Sequence, residues 1–240
     1  MNAHVTNAVV LRDLSRSFEG KPVLDRISLE IPAGQFVALL GESGSGKTTL
    51  LRALAGLDDD AETKGHFSAP ESFSVLFQDS RLLPWKTVID NLTLGLRRPE
   101  PETSALSMLE DVGLADKANV WPSTLSGGQK QRASLARSLL RTPDLLLADE
   151  PFGALDALTR LKMQALLMRL VERKRPTIIL VTHDVDEALL LADRILVLKD
   201  GSIAEDHAIS LPHPRHEHQA EVAYLRKKLL KSLGVEADSI

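Results

Sequence analysis

Residues Gly41 to Thr48, GESGSGKT, carry the strongest chemical signal in the sequence. They follow an apolar run, Phe36 to Leu40, and precede a helical run from Thr49 to Ala55. The glycines Gly41, Gly44 and Gly46, with Glu42, Ser43 and Ser45 between them, let the backbone curl so that successive N–H groups face phosphates. Lys47 then reaches the terminal phosphates and the Thr48 hydroxyl can coordinate Mg²⁺. An accidental glycine-rich turn is the bland alternative, and the strand before and helix after weigh against it. LLLADE, Leu145 to Glu150, is an apolar strand ending in two carboxylates. It would deliver Asp149 beside the magnesium, with Glu150 orienting or deprotonating the water that attacks a γ-phosphate. A solvated strand end is the other reading. Gln78 ends SVLFQ and His183 ends IILVTH. Either residue alone is more often structural, but in parallel α/β sheets ligands sit at the carboxyl ends of the strands, where Gly41, Gln78, Asp149 and His183 would converge.

A second glycine stretch, LSGGQKQR at 125–132, raises a separate question. Ser126 with Gln129 three residues later is a capping box, so a helix is expected to start at Ser126, with Gln129 to Leu140 reading as helix and carrying Arg132, Arg137 and Arg141. Such an end attracts anions, and Ser126, Gly127, Gly128 and Gln129 would make a second anion site in a chain that already has one.

The elements that must position these residues read as an α/β alternation around a largely parallel sheet. Strands are expected at Phe36–Leu40, Ser74–Phe77, Leu145–Ala148, Thr177–Thr182 and Ile195–Leu198. Val9–Leu14 and Val23–Ile31 look like an N-terminal antiparallel β region. From 79 to 141 the pattern turns helical and is broken by prolines, as in an inserted helical subdomain. Asp184 and Glu187 form an N-capping pattern for the helix after His183. The 240 residues, 43% hydrophobic and 26% charged with a net charge of −4, are ordinary globular composition without the basic footprint of a nucleic-acid binder. No cysteine is present, which excludes disulfides and thiolate metal sites. No signal peptide is read at the N-terminus, and no apolar run reaches the ~20 residues needed to span a bilayer.

Taken in order, these motifs resemble the ATPase subunit of an ATP-binding cassette transporter, from about Val9 to Gly201. Residues 41–48, with Thr49 behind them, resemble that family's phosphate loop, Gln78 its Q-loop and Leu125 to Gln129 its signature. Leu145 to Glu150 is similar to its second nucleotide motif, GALD at 153–156 to its D-loop with Asp156, and His183 to its switch histidine. The resemblance implies a P-loop NTPase of the cassette type: a RecA-like parallel-sheet core with an N-terminal antiparallel β region and an inserted helical subdomain, over 1–210, followed by a tail at 211–240 that is helical at 220–233. It further implies ATP and Mg²⁺ as cofactors, with the metal held by Thr48, Gln78 and Asp149, catalysis by Glu150, His183 and Gln78, and Phe18 stacked on adenine. Phe18 taken alone reads as a core residue.

The same resemblance answers the question of the second anion site, because in this family the signature of one subunit covers the ATP of its partner. It implies a homodimer on two transmembrane permease subunits, a solute-binding protein acting through the permease, no nucleic acid, and a peripheral place on the cytoplasmic face of the inner membrane. Phe77–Leu96 and Asp149–Gln164 resemble importers of nitrate, taurine and aliphatic sulfonates, most of all the sulfonate type. Arg81 to Trp85 lies where the family meets its membrane partner. A soluble cassette ATPase of DNA repair or translation is the reading from another class, and this chain lacks the coiled coils, zinc cysteines or tandem cassettes usual there. A simple nucleotide kinase would leave the signature and His183 unexplained. His213, His216 and His218 read as a solvated loop rather than a metal site. Trp85 and Trp121 read as packing anchors, Trp85 equally well as a contact to the membrane subunit.

Overall fold

The computed structural model describes residues 7–58, 60–172 and 174–234. Along the chain lie β1 (Asn7–Phe18), β2 (Lys21–Pro32), β3 (Phe36–Leu40), α1 (Lys47–Leu54), β4 (Glu62–Ser68), β5 (Phe73–Phe77), α2 (Val88–Thr93) and α3 (Pro101–Asp111). After them come α4 (Gly127–Leu140), β6 (Leu145–Asp149), α5 (Ala157–Val171), β7 (Thr177–Val181), α6 (Val185–Leu191), β8 (Arg194–Lys199), β9 (Ser202–Ala208) and α7 (Gln219–Ser232). The described residues form two compact units, one drawn from 7–71 and 177–234 and one from 72–176.

In the first unit β3 lies between the parallel strands β7 and β8, and β9 runs antiparallel to β8. FVALL and TIILV are buried at every position. Strands covered on both faces read as continuous apolar runs, which is why they were legible as strands. A separate antiparallel sheet of order β2-β1-β4 comes from the N-terminal part. Along β2 the apolar residues Leu24, Ile27, Leu29 and Ile31 turn inward while charged neighbours face out.

In the second unit β5 and β6 pair in parallel with Phe77 opposite Asp149. The helices α2 to α5 belong to the same unit. Helix α4 begins as its capping box requires: the Gln129 N–H donates to Ser126 Oγ at 3.3 Å and the Ser126 N–H donates to Gln129 Oε1 at 2.9 Å. Helix α2 repeats the device with Thr87 and Asp90, whose carboxyl is held below the usual carboxylate range by the Thr87 hydroxyl.

Two strands escaped the sequence reading. β4, ETKGHFS, is exposed at every residue and shows no alternation, and it is a strand because it pairs with β1. β9 alternates only between exposed and half-buried positions and is held by β8. The expected N-terminal strands are longer than read, because the β1–β2 ladder continues to Phe18 and Lys21.

Candidate functional site

The first unit assembles the phosphate loop from the end of β3. Gly41 sits so close to β8 that a Cβ there would lie 2.3 Å from the Leu198 carbonyl oxygen. Gly46, the N-cap of α1, has φ +103° and faces the start of β2, where a Cβ would meet Leu24 and the Val23 carbonyl. No L side chain takes that conformation cheaply, so the loop curls only because glycine is there. Lys47 is 6% exposed, and its ammonium donates back to the carbonyls of Gly41 at 2.9 Å and Glu42 at 2.7 Å. It is therefore folded over the loop whose amides would cradle an anion. The Ser45 hydroxyl oxygen is buried without a hydrogen-bond partner, a state that costs about 1–3 kcal/mol. A phosphate oxygen would accept from it, and the first-turn amides of α1, which have no intrahelical acceptor, point the same way. The residues present thus fit a polyphosphate. Glu42, Ser43 and Gly44 are exposed, and Thr48 and Thr49 half-buried.

His183 leaves the neighbouring strand beside this loop, since β3 and β7 run parallel with Leu39 opposite Val181. The Thr182 N–H donates to the Leu39 carbonyl at 3.2 Å. Behind it the Asp184 carboxylate accepts from the amides of Asp186 and Glu187 at 2.9 and 3.2 Å and fixes the start of α6, as the capping pattern required. His183 itself stays exposed. Phe18 closes β1 opposite Lys21, two residues before Val23 of the loop's flank, and is half-buried rather than part of the core.

The second unit holds the remaining residues in two clusters. In one, Gln78 and Glu150 leave the paired strands β5 and β6 side by side, with Asp149 the last residue of β6. Glu150 has φ 45°, a left-handed conformation that costs a non-glycine residue roughly 1–2 kcal/mol. Its carbonyl accepts from the Gly153 N–H at 3.1 Å, closing a tight turn. A Cβ on Gly153 would stand 3.2 Å from Gln78 Nε2 and 3.7 Å from Glu150 Oε2. The Gln78 amide and the Glu150 carboxylate thus both border the bare face of Gly153.

The other cluster joins the signature to Asp156. A Cβ on Gly128 would come within 2.7 Å of the Thr159 methyl, so α4 and α5 touch through a glycine. Asp156 caps α5 by accepting from the Thr159 N–H at 3.0 Å, and the Thr159 hydroxyl holds its carboxyl below the ordinary range. Ser126 and Gly127 are exposed above a cavity of about 950 Å³ that also takes in Asp156, Arg132 and Arg169.

Beyond Gln78 the segment 80–87 is pinned from within. Arg137 donates to the carbonyls of Ser80 and Arg81 at 2.9 and 2.8 Å. Asn91, fully buried, accepts from the Leu83 N–H and donates to the carbonyls of Leu83, Lys86 and Thr87. The Arg81 guanidinium lies 3.5 Å over the Phe77 ring. This scaffold presents Trp85 at 69% exposure, and Trp121 is 49% exposed, so the packing-anchor reading of both fails.

Two residues were missed. Gln131, 4% exposed on α4, looked like one polar residue among several in QKQR, and no local pattern announces that its amide points inward. Arg215 sits in the segment read as a solvated loop, yet it is 1% exposed. It donates to the carbonyls of Leu211, Leu189 and Ala192, satisfying the end of α6, and lies 3.6 Å from Asp193. Burial holds its pKa below the ordinary arginine value despite that carboxylate. Of the three histidines, His213 lies 3.9 Å from Asp193, and the side chain of His216 is outside the described residues.

The family described as ABC transporter matches residues 24–153. The aliphatic sulfonates import ATP-binding protein SsuB 1 of Paracoccus denitrificans is 70% identical, over 98% of this chain and 98% of its own. SsuB of Delftia acidovorans is 67% identical over the same shares. Among solved structures, the dimeric bacterial ABC transporter cassette MJ0796 is 31% identical with a TM-score of 0.71, covering 85% of this chain and 100% of that one.

Proposed function

The chain belongs to the ABC transporter family, and we propose that it is the ATP-hydrolysing subunit that energises import of aliphatic sulfonates through a separate membrane permease. One observation carries the hydrolytic part: the Glu150 carboxylate and the Gln78 amide both border the bare face of Gly153, at the ends of paired strands, with Asp149 the residue before Glu150. A carboxylate and an amide so placed can hold a water between them. Lys47 and the amides of Gly41 to Thr49 bind the phosphates, and Phe18 stacks on the adenine. Thr48, Gln78 and Asp149 are the residues that would hold Mg²⁺, which would supply neutralisation of the phosphate charge. Glu150 takes the proton of the attacking water, and His183 contacts the γ-phosphate. Ser126 to Gln129, with Asp156 beside them, serve the nucleotide of a second copy; MJ0796 was solved both as a dimer and in a dimeric post-hydrolysis state with ADP and Pi.

The substrate class is supported by likeness along almost the whole chain to proteins named for aliphatic sulfonate import. Among the described residues no helix is long and apolar enough to cross a membrane. In this reading the span comes from two permease subunits, a solute-binding protein delivers the substrate to them, and the chain sits at the cytoplasmic face of the inner membrane. Growth tests the reading directly. A strain lacking this protein is expected to lose growth on alkanesulfonates as sole sulfur source and to keep growth on sulfate. Failure on taurine or nitrate instead would move the chain to a sister importer.

The permease contact is assigned to the segment around Arg81 to Asn91. Trp85→Ala should weaken permease binding roughly 30-fold, the ~2 kcal/mol of an anchoring aromatic. ATP affinity should stay within about twofold. Titration of the purified chain against permease in nanodiscs reads both, and unchanged permease affinity would remove Trp85 from the interface.

A further inference from the structure

We propose that Gln131 is a positioning residue for hydrolysis, clamping together the backbone segments that carry Gln78 and Glu150 and tying both to the signature helix α4. The inference rests on the reading of those two residues as the hydrolytic pair. Its side-chain nitrogen donates to the Phe77 carbonyl at 2.9 Å and to the Pro151 carbonyl at 2.7 Å. Phe77 immediately precedes Gln78 and Pro151 immediately follows Glu150. A carboxamide NH₂ has two hydrogens, and here one goes to each segment. Turning the amide over would set its oxygen against two carbonyl oxygens, so the bonding itself fixes the orientation.

The Glu150 backbone needs such a hold. Its φ of 45° lies outside the preferred regions, and a residue in that state persists only where its surroundings over-determine it. The ladder of β6 against β5 fixes the chain before Glu150, and the Gln131 bond grips it one residue after. The same side chain grips β5 just before Gln78. On the other side Gln131 is one helical turn from Gly127, in the exposed start of α4. Gln78, Gly127, Gln131 and Pro151 border one cavity of about 350 Å³. Other α4 side chains bond to the Gln78 segment alone, Arg137 to Ser80 and Arg81 and Ser138 to Val75, whereas the Gln131 amide bonds to both segments, so a displacement of the signature end of α4 reaches the carboxylate and the glutamine together through it. A misplacement of about 1 Å at such a site can cost on the order of 10²-fold in rate.

The experiment compares the full-length chain with Gln131→Met, which keeps length and burial without a donor, and Gln131→Asn, which keeps the amide one carbon short. Both are expected to bind ATP within about twofold of wild type, because the bonds of the Gln131 amide go to the Phe77 and Pro151 carbonyls and not to the residues read as holding the phosphates. Single-turnover hydrolysis per bound nucleotide should fall at least about tenfold. In a Gln78→Ala background the further loss from Gln131→Met should be smaller than alone, since the two act on one geometry. A side chain that merely stabilises the fold would lower the melting temperature and the fraction of chain binding ATP, leave hydrolysis per bound nucleotide unchanged, and overturn the proposal. If the methionine variant does not fold, the asparagine variant decides by the same reading. Glu150→Gln is run in parallel: normal hydrolysis there overturns the hydrolytic reading, whereas a dead Glu150→Gln beside a normal Gln131→Asn overturns only the clamp.

Discussion

Glu150→Gln is expected to bind ATP within about twofold of wild-type affinity and to hydrolyse it at least about 10²-fold more slowly, the lower range for loss of a general base. That corresponds to about 2.7 kcal/mol of barrier. The choice of glutamine matters because of the backbone. Glu150 sits at φ 45° with its carbonyl accepting from Gly153, and glutamine tolerates the conformation as glutamate does while filling the same space beside Gln78. The substitution therefore removes the proton acceptor and little else. ATP-bound dimers should accumulate, because the step that consumes the nucleotide is blocked while the contacts that bind it remain. Nucleotide titration, single-turnover hydrolysis and size-exclusion chromatography in ATP report these quantities separately. Near-normal turnover would mean that the base has been misassigned, and lost ATP binding would mean that the turn, rather than the carboxylate, was disturbed.

What makes these local features legible in the sequence is backbone chemistry that few residue types satisfy. Gly46 at φ +103° against Leu24 and the Ser126–Gln129 capping box are written in local sequence because the strain or the bond is local. The buried strands β3, β6 and β7 were legible for a related reason: only uninterrupted aliphatic runs survive burial on both faces. β4 carries no such mark. With every side chain exposed, its extended form comes from the open edge of β1 rather than from its own residues.

The unread part of the site is likewise non-local. Gly153 reads only as the first residue of GALD, and nothing local says that Gln78, 75 residues earlier in the numbering, lies against its missing side chain. Gln131 is informative only through carbonyls on two other segments, and Arg215 only through the end of α6. Polar groups become buried when a distant element offers partners for every donor, and single-sequence periodicity does not record that offer. The exposed tryptophans fail in the opposite sense. Trp85 was open to two readings because its size suits a core, but Asn91 and Arg137 spend their hydrogen bonds on holding its segment outward.

Mixed dimers are expected to regain hydrolysis when one copy carries Lys47→Ala and the other Ser126→Arg, although each variant is inactive as a pure dimer. Lys47 is buried in its own loop, whereas Ser126 and Gly127 are exposed at the start of α4. If the signature serves the nucleotide of the other copy, the mixed dimer has one site with both defects and one with none. If it serves its own chain, both sites are broken. Ser126→Arg also removes the N-cap that accepts from Gln129, at a cost of about 1 kcal/mol, so its melting temperature is measured beside that of Ser126→Ala, which loses the cap without adding bulk. Arginine at that exposed position blocks an incoming nucleotide sterically, while the capping loss is common to both variants. Since one intact site can turn over slowly when two cooperate, nucleotide trapping in purified, differently tagged heterodimers is read together with steady-state hydrolysis. Recovery of trapping in about one site per heterodimer establishes the composite site. With heterodimer formation confirmed, no recovery by either measure would return Ser126 and its glycines to a role within one chain, where the capping box that starts α4 would be their whole contribution.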